Sequence, residues 1–248
     1  MKLNLSIGIL SWKTHSILIN TLESYRKLGL LDIIPDIKIL FQEICDEDKR
    51  IANDFNIKYI GLSYNIGIGK GFLTLAENAE YENVLLLEND WVLIENQINT
   101  ILRLKNGIKL LDNNNINVIR YRHREHPGHP LFTFNPYKDN ELNIYDAEID
   151  AISPHLLDCI HWVADPDQKF SDKITKIDDY FITTSKWANW TNNPCMYKTS
   201  FYLSHIPNFA GNGIDLEGKI GKWWNRQNFY VAQGSGLFTH RDIVKYGI

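Results

Sequence analysis

The sequence predicts an α/β fold, a three-layer sandwich around a mostly parallel central sheet. Three observations carry that expectation. Val84-Leu85-Leu86-Leu87 is a run of four apolar residues, too short for an ordinary helix, and reads as a strand buried on both faces. Up to Leu62 the chain alternates such runs with helix-periodic stretches in the order β-α-β-α-β, which right-handed crossovers close into a parallel sheet. The 84–87 run then passes straight into Glu88 and Asp90, two carboxylates at a strand's carboxyl end. Open α/β sheets bind ligands there, and two acids so placed can share one divalent ion.

Taken in order, residues 3–10 form the first strand, ending in the polar turn Ser11-Trp12-Lys13. Thr14 or Ser16 caps a helix whose Leu18, Leu22, Tyr25 and Leu28 fall three or four apart, and Gly29 stops it. Residues 36–41 are a second buried strand, followed by Gln42 and Glu43. Asp46, Glu47 and Asp48 then suit the positive end of a short helix through Phe55. Residues 58–62 are a third strand. Asn65-Ile66-Gly67-Ile68-Gly69-Lys70-Gly71 opens a helix carrying Phe72, Leu75, Ala76 and Ala79. Its glycines are spaced G-x-G-x-G, which is neither the dinucleotide fingerprint nor a Walker A motif, although such a turn brings backbone N–H groups close enough to meet a phosphate.

The second half is less regular. A helix is expected at 95–112 with Ile98, Ile101, Leu102 and Ile108 inward, and a strand at 117–121. Arg120, Arg122 and Arg124 alternate, so they share one face and could line a pocket. From 131 to 170 Pro, Asn, Asp and aromatics interleave, as in a long functional loop region with short strands. Ile177-Asp178-Asp179-Tyr180-Phe181 is expected to begin a helix towards Trp187. Residues 191–205 carry β-branched and aromatic residues around Pro194, a helix follows near 217–226, and the apolar stretch 229–232 precedes the glycine-spaced 234–242. No composition break or internal repeat divides the chain, so one domain spanning 1–248 is expected.

Composition narrows the function classes. With 44% hydrophobic and 23% charged residues the chain is ordinary for a soluble globular protein. A net charge of −4 without any Lys/Arg run argues against gripping nucleic acid. No apolar run approaches the roughly 18–20 residues of a membrane helix, and Met1-Lys2-Leu3-Asn4 leads into a strand instead of a signal peptide, so a cytosolic location is expected. Cys45, Cys159 and Cys195 are odd in number and far apart, which points to reduced, mostly buried thiols. His123, His126 and His129 are spaced three apart, but Pro127, Gly128 and Pro130 break any helix that would put them on one face, and no Cys lies near.

The sequence of pieces resembles a known family. A first strand with a polar turn, a second strand ending in Glu43, Asn65-x-Gly67-x-Gly69, a helix, and Leu85-Leu86-Leu87-Glu88-Asn89-Asp90 together resemble the nucleotide-binding half of GT-A-fold glycosyltransferases, family 2 in particular. The likeness covers about residues 5–95. It implies a nucleotide-binding half at 1–95, an acceptor-binding half at 96–248, and transfer of a sugar from a nucleotide-diphosphate sugar, UDP favoured, to a hydroxyl of a glycan or other acceptor. The usual Asp-x-Asp is here Glu88-Asn89-Asp90, and the acid ending the second strand is Glu43 where Asp is commoner.

The resemblance implies roles residue by residue. Asp90 would bind the ion directly, and Glu88 directly or through water or the ribose. His240, near the chain end, would be the third metal ligand, and this mixed oxygen and imidazole set suits Mn²⁺, or Mg²⁺. Asp178-Asp179 looks like the Glu-Asp pair that supplies the base in inverting members, with Asp179 the base and Asp178 its companion or a helix cap. Glu43 and Ser11 would contact the nucleotide, with Asn65 beside them, and Lys70 and Arg241 would meet the phosphates. Two other classes remain: a sugar-phosphate nucleotidyltransferase, which normally has a glycine-rich signature after the first strand that Ser11-Trp12-Lys13-Thr14-His15 lacks, and a carbohydrate-binding protein without catalysis.

Overall fold

Alternation of side chains along a strand decides how the first four strands sit. Ile7 and Ile9 of β1 (Ser6–Trp12) face one hydrophobic core and Leu10 the other; likewise Leu85 and Leu87 of β4 (Asn83–Glu88) face the first, Val84 and Leu86 the second. Both strands therefore need cover on two sides, as expected from their unbroken apolar runs. β2 (Asp36–Gln42) and β3 (Lys58–Gly61) complete a parallel set in the order β3-β2-β1-β4. The structure is a computed structural model and describes residues 2–113, 116–129, 153–211 and 216–241.

Helices α1 (His15–Lys27), α2 (Leu30–Ile33), α3 (Asp46–Asp54) and α5 (Gln97–Asn113) contribute to the first core. α4 (Gly67–Glu77), α7 (Thr199–His205), α8 (Leu216–Trp224) and a 3₁₀ helix at Ser153–His161 cover the second. A short α6 (Pro166–Lys169) precedes the later strands. The result is the expected three layers. At the amino ends of the strands, Ser6 Oγ donates to Asp36 Oδ2 at 2.6 Å, and the Glu80 N–H donates to both at 3.0 Å, tying β1, β2 and the approach to β4 together.

The second half of the sheet is mixed. β10 (Cys195–Lys198) lies antiparallel between β4 and β6 (Ile116–Arg122), and β11 (Tyr230–Arg241) runs parallel to β6. β11 bends where its register against β6 shifts between Gln233 and Phe238. Gly236 makes that bend with a φ of +74°; a Cβ there would lie 2.2 Å from the Arg122 carbonyl oxygen. Beyond the bend β11 pairs with β5 (Trp91–Leu93) and β7 (Gly128–His129), so the stretches read separately as 229–232 and 234–242 are one strand.

Two expectations are corrected. The segment at 177–187 is not a helix: β8 (Thr175–Ile177) and β9 (Tyr180–Thr184) form a hairpin turning through Asp178-Asp179, with Asp178 at φ +50°. The flanking β-branched and aromatic residues favour strands, and Asp tolerates the left-handed conformation a two-residue turn needs. α5 exists where expected but its inward face is rotated: Ile98 is 78% exposed and Leu102 54%, while Thr100, Leu104, Gly107 and Leu111 are buried. Ile101 and Ile108 pack only at its margin. The loop region at 131–152 lies outside the described residues.

Candidate active site

Glu88 ends β4 on the Leu86 side, towards the layer that contains α8. Asn89 and Asp90 turn the chain into β5, whose antiparallel register with β11 sets Trp91 opposite His240. Register thus brings His240 Nε2 to 3.1 Å from Asp90 Oδ2. The Trp91 ring packs edge-on to the imidazole with centroids 4.8 Å apart, fixing its direction. Asp90 Oδ1, in contrast, is buried with no hydrogen-bond partner. Burial pushes the Glu88 carboxyl up to about 8, and the nearby charges of Asp90 and Glu217 push the same way. Partly buried acids set close together, one with an orphaned oxygen, are short of positive charge, and this donor set fits a divalent cation.

The loops after β1 and β2 lie beside this point. Asn89 Nδ2 donates to Ser11 Oγ at 3.3 Å and to Thr14 Oγ1 at 2.6 Å, so both hydroxyls serve the acid-bearing turn and Thr14 caps α1 by position only. Lys13 and Glu43 both adopt positive φ, +55° and +54°, and their side chains form an ion pair across the two loops. Trp12 Nε1 also donates to Glu43 at 3.3 Å. Non-glycine residues in this conformation concentrate at binding sites. Hydrogen bonding from Lys13 and Trp12 lowers the Glu43 pKa, keeping it an acceptor. Trp12 is half exposed.

Asn65 Oδ1 accepts from the Gly67 N–H at 2.7 Å, and Gln42 Oε1 from the Ile66 N–H at 2.8 Å, which fixes the entry into α4. The glycines that follow allow close packing: a Cβ on Gly69 would be 3.0 Å from Ala210 Cα, and one on Gly71 2.6 Å from Leu10. Lys70 between them is exposed. Arg241 pairs through its backbone with His129.

Asp178 and Asp179 are exposed on the hairpin turn. The pairing row Leu86, Cys195, Arg120, Gln233, Phe181 puts β9 four strand spacings from β4. At about 4.8 Å each, that is on the order of 19 Å, along the same carboxyl-end edge as Glu88. Arg120 and Arg122 lie on β6 and Arg124 just beyond its end, and all three are engaged within the fold. Arg120 pairs with Asp158 at 2.9 Å; Arg122 donates to the Pro127 and Gly128 carbonyls and lies over Trp91; Arg124 donates to the carbonyls of Ile160, Val163 and Ala164. His123 pairs with Glu95 at 3.0 Å and stacks on His126.

Sequence reading passed over Glu217. It sits in the first turn of α8, accepts from the Asn192 N–H at 2.6 Å, and bears on the Glu88 carboxyl. An acid ahead of Ile220 and Trp224, at helix spacing, was the available signal.

No family model matches the chain. No curated protein matches its sequence. Among solved structures, residues 1–349 of S. aureus TarS superpose with a TM-score of 0.58 at 13% identity, covering 98% of this chain and 61% of that one. The chain has the GT-A fold. Two further GT-A structures agree. Glucosyl-3-phosphoglycerate synthase from Mycobacterium tuberculosis with Mn²⁺, UDP and glucosyl-3-phosphoglycerate gives 0.53 at 11% identity over 96% of this chain and 72% of that one. The same enzyme with Mg²⁺ and UDP gives 0.54 at 12% identity over 96% and 71%. This chain spans 61% of the TarS fragment's length. Among the described residues no helix is long and apolar enough to cross a membrane.

Proposed function

We propose that this GT-A chain is a metal-dependent glycosyltransferase acting on a nucleotide-diphosphate sugar, UDP favoured, with a glycan or other hydroxyl acceptor. The observation that carries the reading is the buried, unpartnered Oδ1 of Asp90 beside His240, at the carboxyl end of a central strand. Asp90 and His240 would hold Mn²⁺ or Mg²⁺, with Glu88 next to them. A divalent ion there supplies positive charge where negative charge grows on a departing diphosphate. The Mn²⁺, Mg²⁺ and UDP bound in the mycobacterial synthase support this choice of cation and nucleotide.

The chain's own residues do the rest. Glu43, held by Lys13 and Trp12, accepts hydrogen bonds from the nucleotide's base or ribose, with Ser11 and Asn65 contacting the same nucleotide; Lys70 and Arg241 serve the phosphates. Inversion requires a base within hydrogen-bond reach of the acceptor hydroxyl. Asp179 is the base implied by family resemblance. Glu217 is the second choice, favoured by its influence on Glu88.

Thermal unfolding with UDP-sugars, with and without Mn²⁺, tests the reading, because a ligand that binds only the native state raises its stability. A rise in melting temperature that needs both sugar nucleotide and Mn²⁺, and that disappears in Asp90→Ala, is expected. No rise with any nucleotide sugar would overturn it, and pyrophosphate release from a sugar phosphate and a nucleoside triphosphate would select a nucleotidyltransferase.

A further inference from the structure

A second set of ligand-type side chains converges where α1 and α3 begin. His15 opens α1, Cys45 immediately precedes α3, and Asp48 lies in the first turn of α3. His15 Nε2 is 2.9 Å from Asp48 Oδ1 and 3.7 Å from Cys45 Sγ, and the three ligand atoms all lie within 4.8 Å of one another.

We propose that His15 Nε2, Cys45 Sγ and Asp48 Oδ1 form a zinc site that clasps the loop after β1 to the loop after β2.

Both distances from the imidazole suit a shared ion, and the thiol and carboxylate lie within 4.8 Å of each other. A tetrahedral zinc about 2.3 Å from sulfur and about 2.0 Å from nitrogen and oxygen separates S from N by about 3.5 Å and N from O by about 3.3 Å. The S···N distance of 3.7 Å already matches, and the N···O distance of 2.9 Å must open by only a few tenths of an ångström. The carboxylate is preset: Asp48 is 3% exposed, and its Oδ2 accepts the Cys45 backbone N–H at 2.9 Å, which leaves Oδ1 for the ion.

Chemistry separates this set from the one at Asp90. A thiolate with an imidazole and one carboxylate selects zinc over Mg²⁺ or Mn²⁺, which prefer oxygen. Binding sends the Cys45 thiol proton to solvent. The Nε2 proton of His15 moves to Nδ1 by tautomerisation, or leaves if the ring is charged. Water completes the fourth position. The clasped loops carry Trp12, Lys13 and Glu43, so the ion would stiffen the segments that hold these three side chains.

Co²⁺ is the probe, because a Co²⁺–thiolate bond absorbs in the near ultraviolet and oxygen or imidazole ligation alone does not. Cys159 and Cys195 are buried, so in the folded chain Cys45 is the accessible thiol. The reduced chain is titrated with Co²⁺ in excess Mg²⁺. The expected result is a charge-transfer band saturating at one equivalent, abolished by one equivalent of Zn²⁺, absent in Cys45→Ser, weakened at least about tenfold in affinity in His15→Ala, and retained in Asp90→Ala. Zn²⁺ should raise the melting temperature of the native chain and not of Cys45→Ser. Absence of the band, its persistence in Cys45→Ser, or its loss in Asp90→Ala overturns the proposal; none of these outcomes depends on transferase activity.

Discussion

Asp90 Oδ2 and His240 Nε2 meet at 3.1 Å because β5, only three residues long, pairs with the far end of β11. Neither side chain is loose, since the Trp91 ring backs the imidazole and Asp90 has one oxygen fully enclosed. Asp90→Ala and His240→Ala should each weaken Mn²⁺ binding, followed by the electron-spin resonance of free Mn²⁺, by more than about tenfold. Unchanged affinity in Asp90→Ala would place the ion elsewhere.

The base can be assigned by two variants. If Asp179 takes the acceptor proton, Asp179→Asn should lower kcat by about 10²-fold or more while leaving the nucleotide-dependent melting shift in place. Glu217→Gln should then retain most turnover. The opposite pattern would move the role to the first turn of α8.

Acid sensitivity should centre on the foot of the sheet. Burial alone would raise the Asp36 pKa, but hydrogen bonds from Lys38, Ser6 and the Glu80 N–H outweigh it, and the pKa is lowered. A carboxylate depressed in the fold contributes stability above its unfolded value, near 3.9, and loses it as pH falls through the lower folded value. Asp36→Asn should therefore cost about 2 kcal/mol at pH 7, with a gap from the native chain that closes towards pH 2–3 in urea titrations. A gap independent of pH would show that packing, not charge, is responsible.

Arg120 of β6 is 4% exposed and Asp158 of the 3₁₀ helix 9% exposed, and they pair at 2.9 Å. Asp158→Asn leaves a buried guanidinium without its counter-charge and should destabilise by about 3–5 kcal/mol, measured by denaturant unfolding. Pairing it with Arg120→Met should recover much of the loss.

Gly236→Ala should cost about 2–3 kcal/mol, because the new Cβ meets the Arg122 carbonyl and the left-handed backbone is unfavourable for alanine. Its effect on Mn²⁺ affinity should be as clear as its effect on unfolding, since that bend delivers His240 to Asp90.

Much of the amino-terminal half was legible because strands buried on both faces need unbroken apolar runs, and Leu85, Leu86 and Leu87 cannot be satisfied otherwise. The acids at 88 and 90 followed from their place at a strand end. Asp178-Asp179 misled because an acidic pair before aromatics suits a helix start as well as a two-residue turn, and only pairing with Thr175–Ile177 decides between them. The phase of α5 was lost because both of its faces carry apolar residues, and tertiary contact alone selected Leu104 over Ile98. His15, Cys45 and Asp48 gave no signal, since no single periodicity relates residues that lie on two separate βα loops.

The insertion of β10 between β4 and β6 also bears on how the chain is made. As it emerges from the ribosome, β1 to β4 can associate early, yet the free side of β4 finds its partner only when residues 195–198 have been synthesised. Until then a leucine-rich edge is open to pairing with other nascent chains. Holding factors that shield this edge until residues 195–198 emerge should therefore raise the yield of folded protein.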